Sequence, residues 1–476
     1  MKKISFGEKI GYGVGAVGLD LSYGLFYSYL SFYLTNGLGI SPIFMLILAP
    51  LARLWDGIND PMMGSLVDRT RTKMGRYRPW ILTGAILNGV VLALMFNNRF
   101  AANSVGLYVA VAVFYVLWGM TNTLADIPFW SMIPSLATEE KDRNLVSTIA
   151  RAFSGLGQGI VEILTPIIVL ALSGVAAESY KDLPSDALKK GFGGWSMIAA
   201  VCLVIFASVS VLCTKERNIA PKSTEKFSFK KALSLIGHND QLLIFMLFAM
   251  ISNCGFYMTS GIGIYYFAQV QGDLSLKSTF SLMGTVGSVI SILVIPVCGK
   301  FMSNRSTYKF SLTTAILGYA GMAAIGYTVA DVKLLGLFFL ITSIGTGSMF
   351  VNQTVMLADI VDYGEYKLGE RNQSLTFSMK GFLQKMAYTM QSIIMFATFA
   401  ATKYDFSGDT NATVQVVNPQ ADSAIKFLMF IVPPIMMAIS LVIFSTKFKI
   451  YGDFKREILD AVSGKKAELQ SGEAAD

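Results

Sequence analysis

Long apolar runs recur along the chain, separated by short polar loops. A hydrocarbon layer roughly 30 Å thick takes about 20 apolar residues in one helix. The runs therefore predict spanning helices near 10–34, 42–65, 79–98, 105–125, 146–172, 194–214, 241–268, 278–298, 310–329, 334–356, 375–401 and 424–446. The longest charged interruption, 215–240, holds Lys215, Arg217, Lys222, Lys226, Lys230 and Lys231 and divides the runs into two sets of six. The expected architecture is an all-α membrane protein with twelve transmembrane helices in two pseudo-symmetric bundles. Residues 1–214 form the first, 215–240 a cytoplasmic linker, 241–446 the second and 447–476 a cytoplasmic tail. Gly64, Asp68, Arg69, Gly75, Arg76 and Arg78 follow run two, and Gly299, Asn304, Arg305 and Lys309 follow run eight, a faded trace of duplication.

Composition narrows the function. Of 476 residues, 53% are hydrophobic and 15% charged, with a mean hydropathy of +0.53. That excludes a soluble enzyme, a nucleic-acid reader and a disordered chain. The formal charge of +8 comes from Lys and Arg crowded into the loops on the side of both termini, which places the termini in the cytoplasm. The first run follows Lys2, Lys3 and Lys9, contains Asp20 and lacks a small-residue cleavage site, so it is read as a retained span. Cys202, Cys213, Cys254 and Cys298 lie in apolar stretches without metal-ligand spacing and are read as packing residues. His238, the one histidine, falls in the linker and is read as solvated. Two six-helix halves, each with a basic glycine-containing loop after its second helix, resemble the major facilitator superfamily, in which substrate sits between the halves.

Ionisable residues inside the runs carry the chemistry. They are Asp20, Arg53, Asp56, Asp60, Asp126, Arg151, Glu162, Lys380 and Lys385. Each costs roughly 2.5–3.5 kcal/mol at a bilayer centre, so they are expected to face a protein-lined cavity. The acids outnumber the bases by one, which favours a bound cation or proton. Asp56 and Asp60 stand at i and i+4 on one helical face. Two readings are open: a Na⁺, Li⁺ or H⁺ site completed by Asn59 or Thr123, or an Arg53–Asp56 pair that locks helices together.

Thr123, Asp126 and Trp130 form a second stripe, with Pro128 beside it. Carboxylates accept hydrogen bonds from sugar hydroxyls, an indole covers the C–H face of a pyranose, and a guanidinium such as that of Arg151 donates two parallel bonds. A Trp at the membrane interface beside an ion pair is the plainer alternative. Weaker signals point elsewhere. Gly13–Gly18 spells GxGxxG with no strand before it, which is a glycine-lined helix and no nucleotide site. Asn411–Thr413 fits a glycosylation sequon. Phe448, Phe454, Ile458 and Val462 sit among charges in the tail, which reads as a surface helix or a solvated end.

Three strings are long enough to identify a family: Arg53 to Gly64 (RLWDGINDPMMG), Asp68 to Trp80 (DRTRTKMGRYRPW) and Asp126 to Trp130 (DIPFW). They resemble the glycoside–pentoside–hexuronide:cation symporters, and the similarity continues through Ala358 to Lys367 (ADIVDYGEYK) and Lys385. The resemblance implies a cation position at Asp56, Asn59, Asp60 and Thr123, and sugar contacts from Asp20, Tyr27, Asp126, Trp130 and Arg151. Lys385 would tie helix eleven to the acids. The loop with Asp68, Arg69, Gly75, Arg76 and Arg78 would gate alternating access through cytoplasmic ion pairs. In some relatives a phosphotransferase-system protein regulates from the cytoplasmic face.

Where a well-known member of the family carries Gln-Thr four to five residues ahead of its lysine and a tyrosine two before the Thr123 position, this chain has Lys380, Gly381 and Asn122. Asn122 and Lys380 therefore join the expected sugar contacts in an altered pocket. Lys380 would suit an acidic sugar, or it snorkels or pairs with Glu162. The expected function is symport of a glycoside with Na⁺ or H⁺ across the cytoplasmic membrane, with no cofactor besides the co-transported cation. A pentoside or hexuronide importer of the same family and an uncoupled facilitator are the nearer alternatives. An intramembrane carboxylate hydrolase is the remote one.

Overall fold

The computed structural model describes the chain except residues 1–3, 99, 102–103, 137–139, 176–183, 218–236, 329–330, 370–372, 403–418 and 474–476. Most of the linker and the Asn411 sequon thus lie outside the described residues, as do the side chains of Asp68 and Gly299 within their helices.

Among the described residues the regular structure is helical. Helix α1 runs through Phe6–Gly24, Leu25–Tyr29, Leu30–Phe32 and Tyr33–Gly37, the second and fourth pieces being wide π turns. Its start is written in the sequence: the Ser5 hydroxyl accepts from Glu8 N while Glu8 Oε2 accepts from Ser5 N, a reciprocal capping box. There follow α2 (Pro42–Arg69), α3 (Arg78–Phe96), α4 (Val105–Leu136), α5 (Glu140–Ser173) and α6 (Ser185–Cys213). The second six are α7 (Asp240–Tyr265, extended by a π turn at Tyr266–Val270), α8 (Ser275–Phe301), α9 (Asn304–Thr328), α10 (Val332–Leu368), α11 (Gln373–Ala401) and α12. Helix α12 is broken into Pro419–Phe430 and Val432–Lys447, where Pro433 and Pro434 follow the break. Helix α13 covers Gly452–Glu473.

Among the described residues, eight of these helices are long and apolar enough to cross a membrane by length and composition alone. Helix α2 carries Arg53, Asp56, Asp60, Asp68 and Arg69 along its length.

Two compact units emerge. The first comprises Met1–Phe227, Gly261–Leu282 and Ser392–Ile425; the second comprises Ser228–Ser260, Met283–Gln391 and Lys426–Asp476. In the first unit Tyr12, Phe129, Val146, Leu203 and Ala207 belong to one apolar core, with Tyr12 and Phe129 stacked 4.4 Å apart. A Cβ on Gly84 would lie 2.5 Å from Ala125 N, so α3 and α4 approach to backbone distance only because that residue is glycine. In the second unit a Cβ on Gly345 of α10 would likewise lie 2.5 Å from Ala315 N on α9. Repeat-related helix pairs thus share one packing device.

Helix α13 packs on α10 within the second unit. Lys455 Nζ bonds Asp359 Oδ2 at 2.7 Å, Tyr366 donates to Glu457 at 3.0 Å, and Ile458 and Val462 are buried. The tail's apolar stripe is therefore occupied by protein, which leaves it little to offer a lipid surface. His238 is exposed, and the four cysteines are free, with Cys254 buried and Cys213 exposed. Cys213 is thus no core residue, although its side chain abuts Gly11.

Candidate functional site

In the first unit the intramembrane charges fall into two clusters that share α4. The first is built on α2. Arg53 Nη1 bonds Asp56 Oδ2 at 2.7 Å, and both residues are about 4% exposed. The guanidinium lies 4.7 Å from the Tyr27 ring, 5.8 Å from Phe26 and 5.9 Å from Tyr115. Aromatic faces thus share with one carboxylate the work of replacing water around the cation. One turn on, Asp60 Oδ1 accepts a 2.9 Å bond from Thr123 Oγ1. Asn59 is buried, and its Nδ2 has no hydrogen-bond partner among the described residues.

Both open readings of α2 have a counterpart here. The Arg53–Asp56 pair is real, and Thr123 reaches Asp60 as the cation-site reading requires. Gly119 leaves room beside the pair, because a Cβ there would lie 2.8 Å from Asp56 Oδ1.

The second cluster is held by α1, α4 and α5. Trp130 Nε1 donates to Asp126 Oδ1 at 2.9 Å, one turn apart on α4. Arg151 from α5 lays its guanidinium 3.9 Å from the Trp130 ring centre and remains exposed. Asp20 from α1 lies within electrostatic range of Ser154, Asp126 and Arg151. Its backbone is brought in by Gly157, where a Cβ would meet Val17 O at 2.7 Å. An indole face, two carboxylates and a guanidinium thus converge, which is chemistry for a neutral polyhydroxyl molecule. Asn122 is half-buried on the same turn of α4.

Tyr27, which the resemblance groups with the sugar contacts, has the Arg53 guanidinium 4.7 Å from its ring centre. The charge count needs correcting. The surplus of one acid overlooked Lys277, which the sequence left in a loop. It is 2% exposed in the first turn of α8 and ion-paired with Glu162. Glu162, offered above as a partner for Lys380, is therefore engaged within its own unit. Adding Lys277 balances acids and bases over the whole set, but with the Glu162–Lys277 pair set aside the first unit still holds Asp20, Asp56, Asp60 and Asp126 against Arg53 and Arg151, a local excess of negative charge.

Lys380 and Lys385 belong to the second unit. Lys380 Nζ donates to Thr354 Oγ1 at 2.5 Å, both residues being half-buried. Lys385 is half-buried on α11.

The loop after α2 is tied to the end of α6 and to Glu216 just beyond it. Arg78 donates through Nε and Nη2 to Val211 O at 2.9 and 2.6 Å, and Glu216 accepts from the N–H groups of Arg76, Tyr77 and Arg78 at 2.8, 2.8 and 3.2 Å. Gly75, at φ +113°, admits that carboxylate, since a Cβ would stand 2.4 Å from Glu216 Oε1. Arg76 is buried with its guanidinium 4.9 Å from the Tyr77 ring, while Arg69 is exposed.

The sequence reading missed the aromatic support. Phe26 stacks on Trp118 at 3.6 Å, and Trp118 Nε1 donates to Ser22, which bonds Asn88. The spacing Tyr23, Phe26, Tyr27 on α1 against Tyr115, Trp118 on α4 was the available signal.

The profile of the family described as MFS/sugar transport protein matches residues 11–451. The chain belongs to that family. MFS/sugar transport proteins are membrane transporters and not enzymes. The chain is 25% identical over 462 residues to a lactose permease of Lactobacillus delbrueckii subsp. bulgaricus, covering 95% of this chain and 72% of the permease. It is 27% identical over 451 residues to the putative glycoside/cation symporter YagG of Escherichia coli, covering 92% of this chain and 91% of YagG. A solved D-xylose-proton symporter shares the fold, with a TM-score of 0.63 at 14% identity over 93% of this chain and 97% of that one.

Proposed function

We propose that this MFS/sugar transport protein is a cation-coupled symporter that carries a glycoside or a related sugar with Na⁺ or H⁺ by alternating access. The observation that carries the reading is the junction on α4, where Thr123 bonds Asp60 and, one turn later, Asp126 bonds the indole that Arg151 covers. Cation and sugar groups placed a turn apart on one helix let each ligand bias the same element, which is what coupling requires. The Arg53–Asp56 ion pair favours Asp60, with Thr123 and Asn59, as the centre of the cation position. The lactose permease and the glycoside/cation symporter among its relatives support the sugar class.

Coupling follows from charge. A cavity with more carboxylates than guanidinium groups is costly in low dielectric until a cation enters, and the loaded carrier is the form that reorients. We place the chain in the cytoplasmic membrane with both termini inside, and assign the Arg69–Arg78 loop to the cytoplasmic face, where a phosphotransferase-system protein could act. The test is a titration of sugar affinity in purified protein against Na⁺ at fixed pH, then against pH without Na⁺. Affinity should rise with one of the two cations. A constant affinity in both titrations contradicts coupling.

A further inference from the structure

Three features of the first unit converge at one end of it. Helix α1 widens into π turns at Leu25–Tyr29 and Tyr33–Gly37, and α7, the repeat equivalent of α1, widens at Tyr266–Val270. Both show the long-ring bond of that geometry, Leu38 N to Tyr33 O at 3.1 Å and Gln271 N to Tyr266 O at 3.0 Å.

The two widened segments and their flanks bond to each other. Gln269 in one π turn donates to Asn36 in another at 2.7 Å, and Tyr265, just before the α7 π turn, places its OH 3.0 Å from Thr35 Oγ1 and its ring edge-on to Phe32 at 5.4 Å.

Beside them stands a buried ion pair. Lys277 from α8 bonds Glu162 from α5, donates to Tyr29 OH at 2.9 Å and lies 4.6 Å from the Tyr29 ring centre. Glu162 also accepts from Ser28 Oγ at 2.5 Å. Ser28 and Tyr29 belong to the first π turn, so the pair is keyed into the widened backbone. Chain connectivity gives this contact leverage. Helices α7 and α8 each cross from one compact unit to the other, at Ser260/Gly261 and at Leu282/Met283. The pair therefore pins to α5 the first turn of a helix whose remainder belongs to the second unit.

We propose that the Glu162–Lys277 ion pair, seated on the π turn of α1 beside the α1–α7 contact, is the lock of a closed gate at this end of the carrier. Passage of substrate through this end requires the pair to separate. Separation is costly because each charge would be left in a poorly hydrated place, and the wide turns of α1 and α7 supply the backbone compliance for the movement. On the orientation proposed above, this end faces outward. The inference rests on the transporter reading for its meaning, but its readout is accessibility and needs no transport.

Ala268, in the α7 π turn, is 4% exposed, and Ala268→Cys adds one sulfur. In a background with the four native cysteines replaced by Ser, its modification by a membrane-impermeant maleimide is timed in right-side-out and inside-out vesicles. Glu162→Gln or Lys277→Met should accelerate modification from one side by about tenfold or more, the factor expected when a population shift of that size is released. The exchange Glu162→Lys with Lys277→Glu should restore slow labelling. If single variants do not accumulate in the membrane, Glu162→Gln combined with Lys277→Met, which strands neither charge, carries the comparison. Labelling within about twofold of the parent in that double variant, in both vesicle orientations, would overturn the proposal.

Discussion

Thr123 on α4 donates a hydrogen bond to Asp60 on α2 across 2.9 Å, joining the helix that carries the indole to the helix that carries paired carboxylates. A hydrogen bond to a charged group contributes about 1.5–3 kcal/mol. Thr123→Val keeps the shape and removes the oxygen. It should weaken the apparent affinity for the coupling cation by about tenfold or more while leaving sugar affinity at saturating cation near the parent value. Uptake measured across a range of Na⁺ and pH separates the two.

Arg53 and Asp56 form a buried pair, so removing one partner strands the other. Arg53→Met should lower stability by about 3–5 kcal/mol, read as a lower denaturation midpoint of the detergent-solubilised protein. Arg53→Met combined with Asp56→Leu should recover most of the midpoint. A single variant as stable as the parent would mean that Asp56 has another cation beside it.

Trp130 offers a face and a donor, and the two can be separated. Trp130→Phe retains an aromatic surface but loses the Nε1 bond to Asp126, and it should weaken sugar binding by about tenfold. Trp130→Ala, which also removes the platform under Arg151, should weaken it further. Cation affinity without sugar should stay unchanged in both, as equilibrium binding would report.

Glu8 lies ahead of the first apolar run and contacts Arg217 at 2.7 Å. Burial pushes its carboxyl up, but the Ser5 N–H and the Arg217 guanidinium outweigh that, and the net effect holds it below its ordinary value of 4.5. A lowered folded value means the contribution is complete above 4.5 and is lost as pH falls through that lower value. The stability advantage of the parent over Glu8→Gln should therefore be steady near neutrality and shrink on acidification. Denaturation midpoints of the two proteins across pH check it.

Helix number was legible because apolar runs of spanning length are imposed by the bilayer itself, and the twelve runs correspond to α1 through α12. The stripe of Thr123, Asp126 and Trp130 was legible from helical spacing. Lys277 was not, since one lysine in the first turn after a polar loop looks the same whether it meets water or Glu162. The π turns of α1 and α7 were hidden for a related reason: a widened turn reflects tertiary bonds such as Thr35 to Tyr265 and leaves no composition signal. The tail helix was legible as amphipathic, but its partner on α10 was not.

The central claim is that Asp60 and its neighbours bind a cation whose gradient drives sugar inward. The direct measurement is uptake of labelled glycosides into right-side-out vesicles under imposed Na⁺ or H⁺ gradients, comparing the parent with Asp60→Asn. The parent should accumulate sugar above equilibrium under one gradient, and Asp60→Asn should at best equilibrate it. Equal accumulation by both proteins, or indifference of the parent to both gradients, would contradict the account.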